Sequence, residues 1–242
     1  MRPAGDHEWR RIVTIVPSSN TTVECDFLSA LPPGATLHPA RMHLSHTSAE
    51  AERRMVTHHV PQAVEDAASL RPWVVAFCCT SAGAVLGAEG EARLIDEIEE
   101  KCHAHVVSTN DAVKQAIARH NPRRVAVLTP YTDALNAHIR AGLEGHGLNV
   151  VHLAGLQITD NFGICSVSPA EIVAFAEREL AGKDFDFLFV SCTNFRAVEA
   201  RPTLAERYGV PVVTSNQATI DATLATLGLA PAAASEQPSA VR

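Results

Sequence analysis

Three segments of this 242-residue chain recur in the same order, and that repetition constrains the fold more than any single motif does. IVTIVPSSNT at 12–21 parallels VAVLTPYTDA at 125–134, WVVAFCCTS at 73–81 parallels DFLFVSCTN at 186–194, and VVSTNDA at 106–112 parallels VVTSNQA at 212–218. Pro17 and Pro130 stand 113 positions apart, as do Cys79 and Cys192, while Asn110 and Asn216 stand 106 apart. The register therefore holds over two landmarks and shortens before the third. A duplicated unit is implied, each half with its own small parallel sheet.

The pattern between the landmarks fits. Short, nearly continuous apolar runs at 12–16, 74–78, 105–107, 125–128, 150–153, 187–190 and 212–213 read as strands buried on both faces, the habit of parallel sheets. Helical spacing at 21–31, 48–59, 90–103, 111–120, 133–147, 169–181 and 216–227 supplies the crossovers, giving a βαβα order and an α/β class. Pro61 should break or restart the second helix, and Ser168 followed by Pro169 reads as an N-cap with proline in the first turn. The expected domains are 10–110 with 216–228, and 111–215. The Ala/Pro/Ser-rich stretch 230–242 has the composition of a disordered tail.

With 46% hydrophobic and 19% charged residues the chain has apolar material for one large α/β unit or two small ones, which excludes disordered and fibrous classes. A formal charge of −7 without clustered Lys or Arg argues against a nucleic-acid or anionic-membrane surface, leaving a small molecule as the expected partner. No apolar stretch has the length of a signal peptide or a membrane span, so a cytoplasmic location is expected. The six cysteines lack a CxxC pattern and should be reduced thiols.

Ligands of open parallel sheets bind beyond the carboxyl ends of the strands, and every repeated polar cluster falls there. Pro17 to Thr21, Cys79-Thr80-Ser81, Pro130 to Asp133 and Cys192-Thr193-Asn194 each follow a strand and precede a helix. Hydroxyls, amides and backbone N–H groups at helix N-termini suit a small carboxylate. Cys79 and Cys192 should face each other across the cleft between the halves. A helix N-terminus lowers a thiol pKa, so one sulfur could attack or deprotonate carbon while the other, kept as a thiol, supplies a proton. A strand-end cysteine taken alone is more often core filler; it is the equivalent placement in both halves that favours chemistry. Cys78, one residue earlier, should point into the core, and Cys25, Cys102 and Cys165 should be structural.

Competing chemistry is weak. His58-His59 and His103-Ala104-His105 lack an accompanying carboxylate pattern or HExxH spacing, so no metal is expected. Gly83, Gly87 and Gly90 are too irregular for a phosphate-cradling loop.

With PSSNTTVE at 17–24, TPYTDALN at 129–136, TDNFG at 159–163 and the two CT dipeptides, the chain resembles the maleate isomerase and arylmalonate decarboxylase branch of the aspartate/glutamate racemase superfamily over residues 10–228. The resemblance implies two pseudo-symmetric, flavodoxin-like α/β domains with the active site in the cleft between them, and no cofactor. It implies that Cys79 attacks the double bond to form a succinyl adduct, and that Cys192 delivers and later removes a proton. Asn20, Tyr131 and Asn161 are expected to hold the carboxylates, with Thr80, Ser81, Thr193 and Asn194 supplying further donors. Ordinary capping and packing are the alternatives for Asn20, Asn161 and Tyr131. Both thiols are present, whereas arylmalonate decarboxylases are understood to keep only the second. Racemisation, an ectoine-utilisation relative and a noncatalytic carboxylate-binding module are the alternatives in function. Arg196 departs from the pattern and could add a carboxylate contact. A homo-oligomer is possible.

Overall fold

The computed structural model describes residues 9–232. Each half forms a four-stranded, wholly parallel sheet. In the first, β1 (Arg10–Pro17), β2 (Ala35–Met42), β3 (Val74–Phe77) and β4 (His105–Ser108) lie in the order β2-β1-β3-β4. In the second, β5 (Val125–Thr129), β6 (Val150–Gly155), β7 (Phe187–Val190) and β8 (Val212–Thr214) repeat it as β6-β5-β7-β8. This 2-1-3-4 order is the flavodoxin-like one, with a switch point between the first and third strands of each sheet.

The helices are α1 (Thr22–Ala30), α2 (Ala49–Arg54), α3 (Val60–Ser69), α4 (Thr80–Cys102) and α5 (Thr109–Ala118) in the first half. They are followed by α6 (Asp133–Glu144), α7 (Asn161–Cys165), α8 (Pro169–Leu180), α9 (Ala197–Tyr208) and α10 (Ser215–Thr226). One π turn, Met55–His59, joins α2 to α3, and Pro61 sits in the first turn of α3, so the helix expected at 48–59 restarts there. Ser168 caps α8 in a full capping box with Glu171.

Four elements depart from the sequence expectation, among them the short helix α7, which was not anticipated. β2 was not anticipated: it is an edge strand with a half-exposed, partly polar pattern, and Pro39 is tolerated because an edge strand can lose one ladder donor. α4 begins at Thr80 rather than at residue 90, with Gly87 at φ 71° breaking the helical dihedrals inside it, a conformation that glycine adopts without a Cβ clash. α9, which has Pro202 in its interior, was also unpredicted.

Period-two alternation sorts the first sheet's side chains into two cores. Ile12, Val74, Ala76 and Cys78 join a cluster with Val113, Ile117, Ile220 and Leu224 that continues into the second sheet through Val127, Phe187 and Val190. Val13, Ile15, Val75, Phe77 and Cys79 face the opposite way, toward Met55, Ala63, Leu94 and Ile98. Cys78 is therefore core, as expected, and Cys79 lies on the other face. α10 packs on α5, α1 and the β3–β4 edge, so the last helix lies against the first half. Of the tail expected at 230–242, residues from 233 on lie outside the described residues; Ala232 N–H donates to Ala30 O at 3.0 Å.

Candidate active site

The ends of β3 and β7 bring the two repeat-related cysteines to the junction of the halves. Both are free and nearly inaccessible, Cys79 at 2% and Cys192 at 4% exposure. They are linked through α10. Thr80 Oγ1 donates to Ser215 Oγ at 3.1 Å, and Cys192 N–H donates to the same Ser215 Oγ at 3.1 Å. Thr193 Oγ1 crosses in the other direction to donate to Cys78 O at 3.2 Å.

The duplication extends to the supports. Asn110 Nδ2 donates to Thr80 O at 3.3 Å, and Asn216 Nδ2 donates to Thr193 O at 2.9 Å, so each half holds the residue after its cysteine with the same amide. Each amide also meets a buried carboxylate, Glu91 at 3.2 Å and Asp26 at 2.7 Å.

The cysteines themselves differ. Cys79 is the N-cap of α4, and its sulfur lies 3.6 Å from Ser81 Oγ and 3.7 Å from Glu52 Oε2. Cys192 precedes a turn rather than a helix, and α9 starts only at Ala197. Its φ of 102° is one that residues with a Cβ rarely adopt, and strain of this kind costs about 1–3 kcal/mol. The Cys192 sulfur accepts from Asn194 N–H at 3.3 Å and from the Tyr131 phenol.

The expectation of lowered thiol pKa values is corrected by burial. Desolvation pushes Cys192 up to about 11, against the hydrogen bonds from Tyr131 and Asn194. Cys79 is raised well above 9.0, first by desolvation and then by the Glu52 charge, while the Ala82 N–H and Ser81 hydrogen bonds oppose both. A helix N-terminus does not outweigh loss of water around a sulfur this deep. Both thiols therefore hold their protons at neutral pH.

Of the expected binding residues, Asn20, Thr80, Ser81, Tyr131, Thr193 and Asn194 gather around the two cysteines, each nearly fully buried. Asn20 Oδ1 accepts from Thr22 N–H and Val23 N–H, capping α1, while its amide donates to Thr193 Oγ1 at 3.1 Å. Asn161 joins from the second half, its amide donating to Ser19 Oγ at 2.7 Å. Asn194 is committed to joining the halves: its amide donates to Asn161 O at 2.6 Å and its Oδ1 accepts from Thr21 N–H at 3.0 Å. Tyr131 is placed by Thr129 Oγ1, which accepts from its N–H at 3.0 Å, and by Asn136, whose amide donates to its carbonyl. A Cβ at Gly155 would collide with that carbonyl, so glycine is required there. Arg196 does not enter the site; Glu199 holds its guanidinium through two bonds of 2.8 and 2.9 Å on the outside of α9.

Residues 12–238 match the arylmalonate decarboxylase family. The chain belongs to that family. Among its relatives, the maleate isomerase of Nocardia farcinica is 29% identical over 216 residues, 85% of each chain. A cysteine-to-serine mutant of that enzyme, solved with a covalently bound succinylcysteine intermediate, superposes with a TM-score of 0.84 at 26% identity, covering 92% of this chain and 96% of that one. The maleate isomerase Iso from Pseudomonas putida S16 shares the fold at a TM-score of 0.85 and 23% identity, over 92% and 94% of the two chains.

For a member of the arylmalonate decarboxylase family, this chain holds one functional candidate that sequence reasoning missed. Glu52, on α2, is fully buried, accepts from Ser81 Oγ at 2.6 Å and lies against the Cys79 sulfur. AEAERR reads as a solvated helix, yet one signal was present. The N-caps Ser48 and Asp160 open α2 and α7 in the two halves, and counting four residues from each places Glu52 opposite Ile164, a core residue. The histidine pairs lie elsewhere: His58 is exposed and His105 pairs with Glu99 at 2.9 Å. Among the described residues no group of three or more His, Cys, Asp or Glu side chains is placed to hold a metal ion. No helix of the described residues is long and apolar enough to cross a membrane.

Proposed function

We propose that this chain is a cysteine-dependent, cofactor-independent cis–trans isomerase of maleate or a close cis-dicarboxylate. The observation that carries the reading is the pair of repeat-equivalent buried thiols, their loops tied together through Ser215 and the sulfurs differently partnered. The covalent succinylcysteine intermediate in the Nocardia farcinica relative supports the same chemistry.

The Cys79 sulfur, as thiolate, adds to one alkene carbon, and the electron pair of the double bond moves to the neighbouring carbon, where the adjacent carboxylate delocalises it. Cys192 gives its proton to that carbon. The former double bond is now single and rotates. The Cys192 thiolate then removes a proton from the same carbon, the double bond re-forms, and the Cys79–carbon bond breaks to release the trans diacid. Tyr131, donating to the Cys192 sulfur, stabilises that sulfur while it is an anion.

Asn20 and Asn161 are the amides we assign to the substrate carboxylates. Both donate to hydroxyls, of Thr193 and Ser19, and a carboxylate is the stronger acceptor. Thr80, Ser81 and Thr193 line the same space, and Asn194 positions rather than binds. We read 10–110 with 216–228 and 111–215 as the two domains, with α5 spanning the boundary; the packing of α10 against α1, β3 and β4 supports placing 216–228 with the first. A reducing compartment such as the cytoplasm fits chemistry that needs both thiols free.

Proton NMR of the purified protein with maleate tests the reading: fumarate should accumulate, and Cys192→Ser should accumulate a succinyl adduct on the peptide carrying Cys79. Solvent deuterium entering the α-carbon of an amino or hydroxy acid, with no fumarate from maleate, would replace isomerisation by racemisation. An adduct on Cys192 alone would reverse the two roles.

A further inference from the structure

A neutral thiol is a poor nucleophile, and Cys79 is held neutral by burial, so something must take its proton at the moment of attack. We propose that Glu52 is the base that accepts the Cys79 proton as its sulfur attacks, and that Ser81 holds the carboxylate in place to do so. The inference rests on the proposed function only for naming the electrophile.

The geometry is direct. Glu52 is the fourth residue of α2, whose first turn is fixed by Ser48 Oγ accepting from Ala51 N–H at 3.2 Å. Its two oxygens are divided: Oε1 accepts from Ser81 Oγ at 2.6 Å, and Oε2 meets the Cys79 sulfur at 3.7 Å. Ser81 lies 3.6 Å from the same sulfur, closing a three-membered set of thiol, hydroxyl and carboxylate. A carboxylate at zero exposure with no ion pair among the described residues is costly, and a packing role would be better served by an apolar residue; the residue at the same count from the N-cap of α7 in the second half is Ile164.

The surroundings tune the group toward this task. Desolvation raises Glu52 to about 7, with the Ser81 and Cys79 hydrogen bonds opposing the rise. Its charge is felt by Cys79, Cys192 and Tyr131 across the site. On its own helix Glu50, Arg53 and Arg54 are exposed; on the π turn His58 is exposed and His59 stacks edge-on against His43. The titratable groups that touch it are thus the reacting thiol and, through charge, the second thiol and the phenol. A carboxylate near neutrality is a far stronger base than an exposed one and is still ionised in half the molecules at pH 7.

The proton balance closes. Glu52 carboxylate and Cys79 thiol become carboxylic acid and thiolate; the thiolate forms the carbon–sulfur bond while Cys192 supplies the proton to carbon. On elimination Cys192 recovers its proton, the thiolate leaves, and Glu52 returns the first proton to it. No external acid, base or oxidant is consumed.

The test is the pH dependence of Cys79 alkylation by iodoacetamide, followed by peptide mass spectrometry in wild type and in Glu52→Gln, which keeps the shape and removes the base. In wild type the rate should rise through about pH 7 as Glu52 loses its proton. Glu52→Gln should abolish that limb and slow Cys79 at pH 7.5 by about 10²-fold, within the range for a lost general base. A merely electrostatic neighbour predicts the opposite sign: removing the Glu52 charge would lower the Cys79 pKa and speed alkylation. An unchanged or faster rate in folded Glu52→Gln overturns the proposal. Should Glu52→Gln not fold, Ser81→Ala serves instead: losing the bond that favours the ionised carboxylate should move the limb to higher pH, and an unmoved limb overturns the proposal. Because alkylation needs no maleate, a failure of isomerisation with the limb intact removes the proposed substrate and leaves the assignment of Glu52 standing.

Discussion

The two halves agree in their scaffold and disagree at their sulfurs. Strand order, the amide that holds the residue after each cysteine, and the N-capped helix that follows the second strand are the same on both sides. What differs is the partner. Cys79 has a carboxylate, which can take its proton, beside the Ser81 hydroxyl and the Ala82 N–H; Cys192 has a phenol and a backbone N–H, which donate to its sulfur. The duplication thus gave two equivalent positions, and the neighbours made one suited to passing its proton to a carboxylate during attack and the other to lending its proton to carbon. Unequal roles follow from unequal partners at equal places.

The comparison breaks most sharply at the sulfurs. Cys79→Ser and Cys192→Ser should each lower kcat on the order of 10³-fold or more, but only Cys192→Ser should still form the adduct, as read by intact mass; adduct formation by neither or by both would remove the asymmetry. Next comes the phenol. Tyr131→Phe should lower kcat about 10²-fold with native circular dichroism, and it should move the titration of Cys192 upward, because the Tyr131 bond is the largest of the influences holding it down. At the shared support, Ser215→Ala leaves the buried Cys192 N–H without an acceptor and should cost about 1–3 kcal/mol in urea unfolding, with both halves melting together.

The buried carboxylates beneath the supporting amides are separated by how stability depends on pH. Asp26 is raised from 3.8 to about 7, chiefly by desolvation, so between those values the folded chain holds a proton that the unfolded chain has released. Its contribution is present below pH 3.8 and is lost as pH rises through about 7. Asp26→Asn should flatten the fall of stability over that window by at most about 1.4 kcal/mol per pH unit, leaving the part due to Glu52 and Glu91, which are raised for the same reason.

The repeat was legible because strands buried on both faces must be apolar, and because the residues leaving them are constrained in the same way twice. Thus seven of the eight strands, the face of Cys78 and the meeting of Cys79 with Cys192 could be read from order and offset. β2 was hidden because an edge strand need satisfy only one neighbour, so its sequence resembles a loop. Glu52 was hidden by composition: a Glu among Ala, Glu and Arg looks solvated until its register with Ile164 is noticed. The thiol pKa values were misread because a helix N-terminus is visible in sequence and depth is not; at 2% exposure, depth decides.

Ser215 has a consequence for the order in which the molecule becomes competent. It is the first residue of α10, yet it receives the Thr80 hydroxyl and the Cys192 N–H, and the next residue, Asn216, bridges Thr193 to Asp26. A chain emerging from the ribosome as far as Cys192 would already display both sulfurs, but not the side chains that tie their loops together. The site is therefore among the last parts of the protein to exist, assembled by its most distant sequence contacts, and the thiols pass through synthesis before the carboxylate, hydroxyl and phenol around them can act in concert.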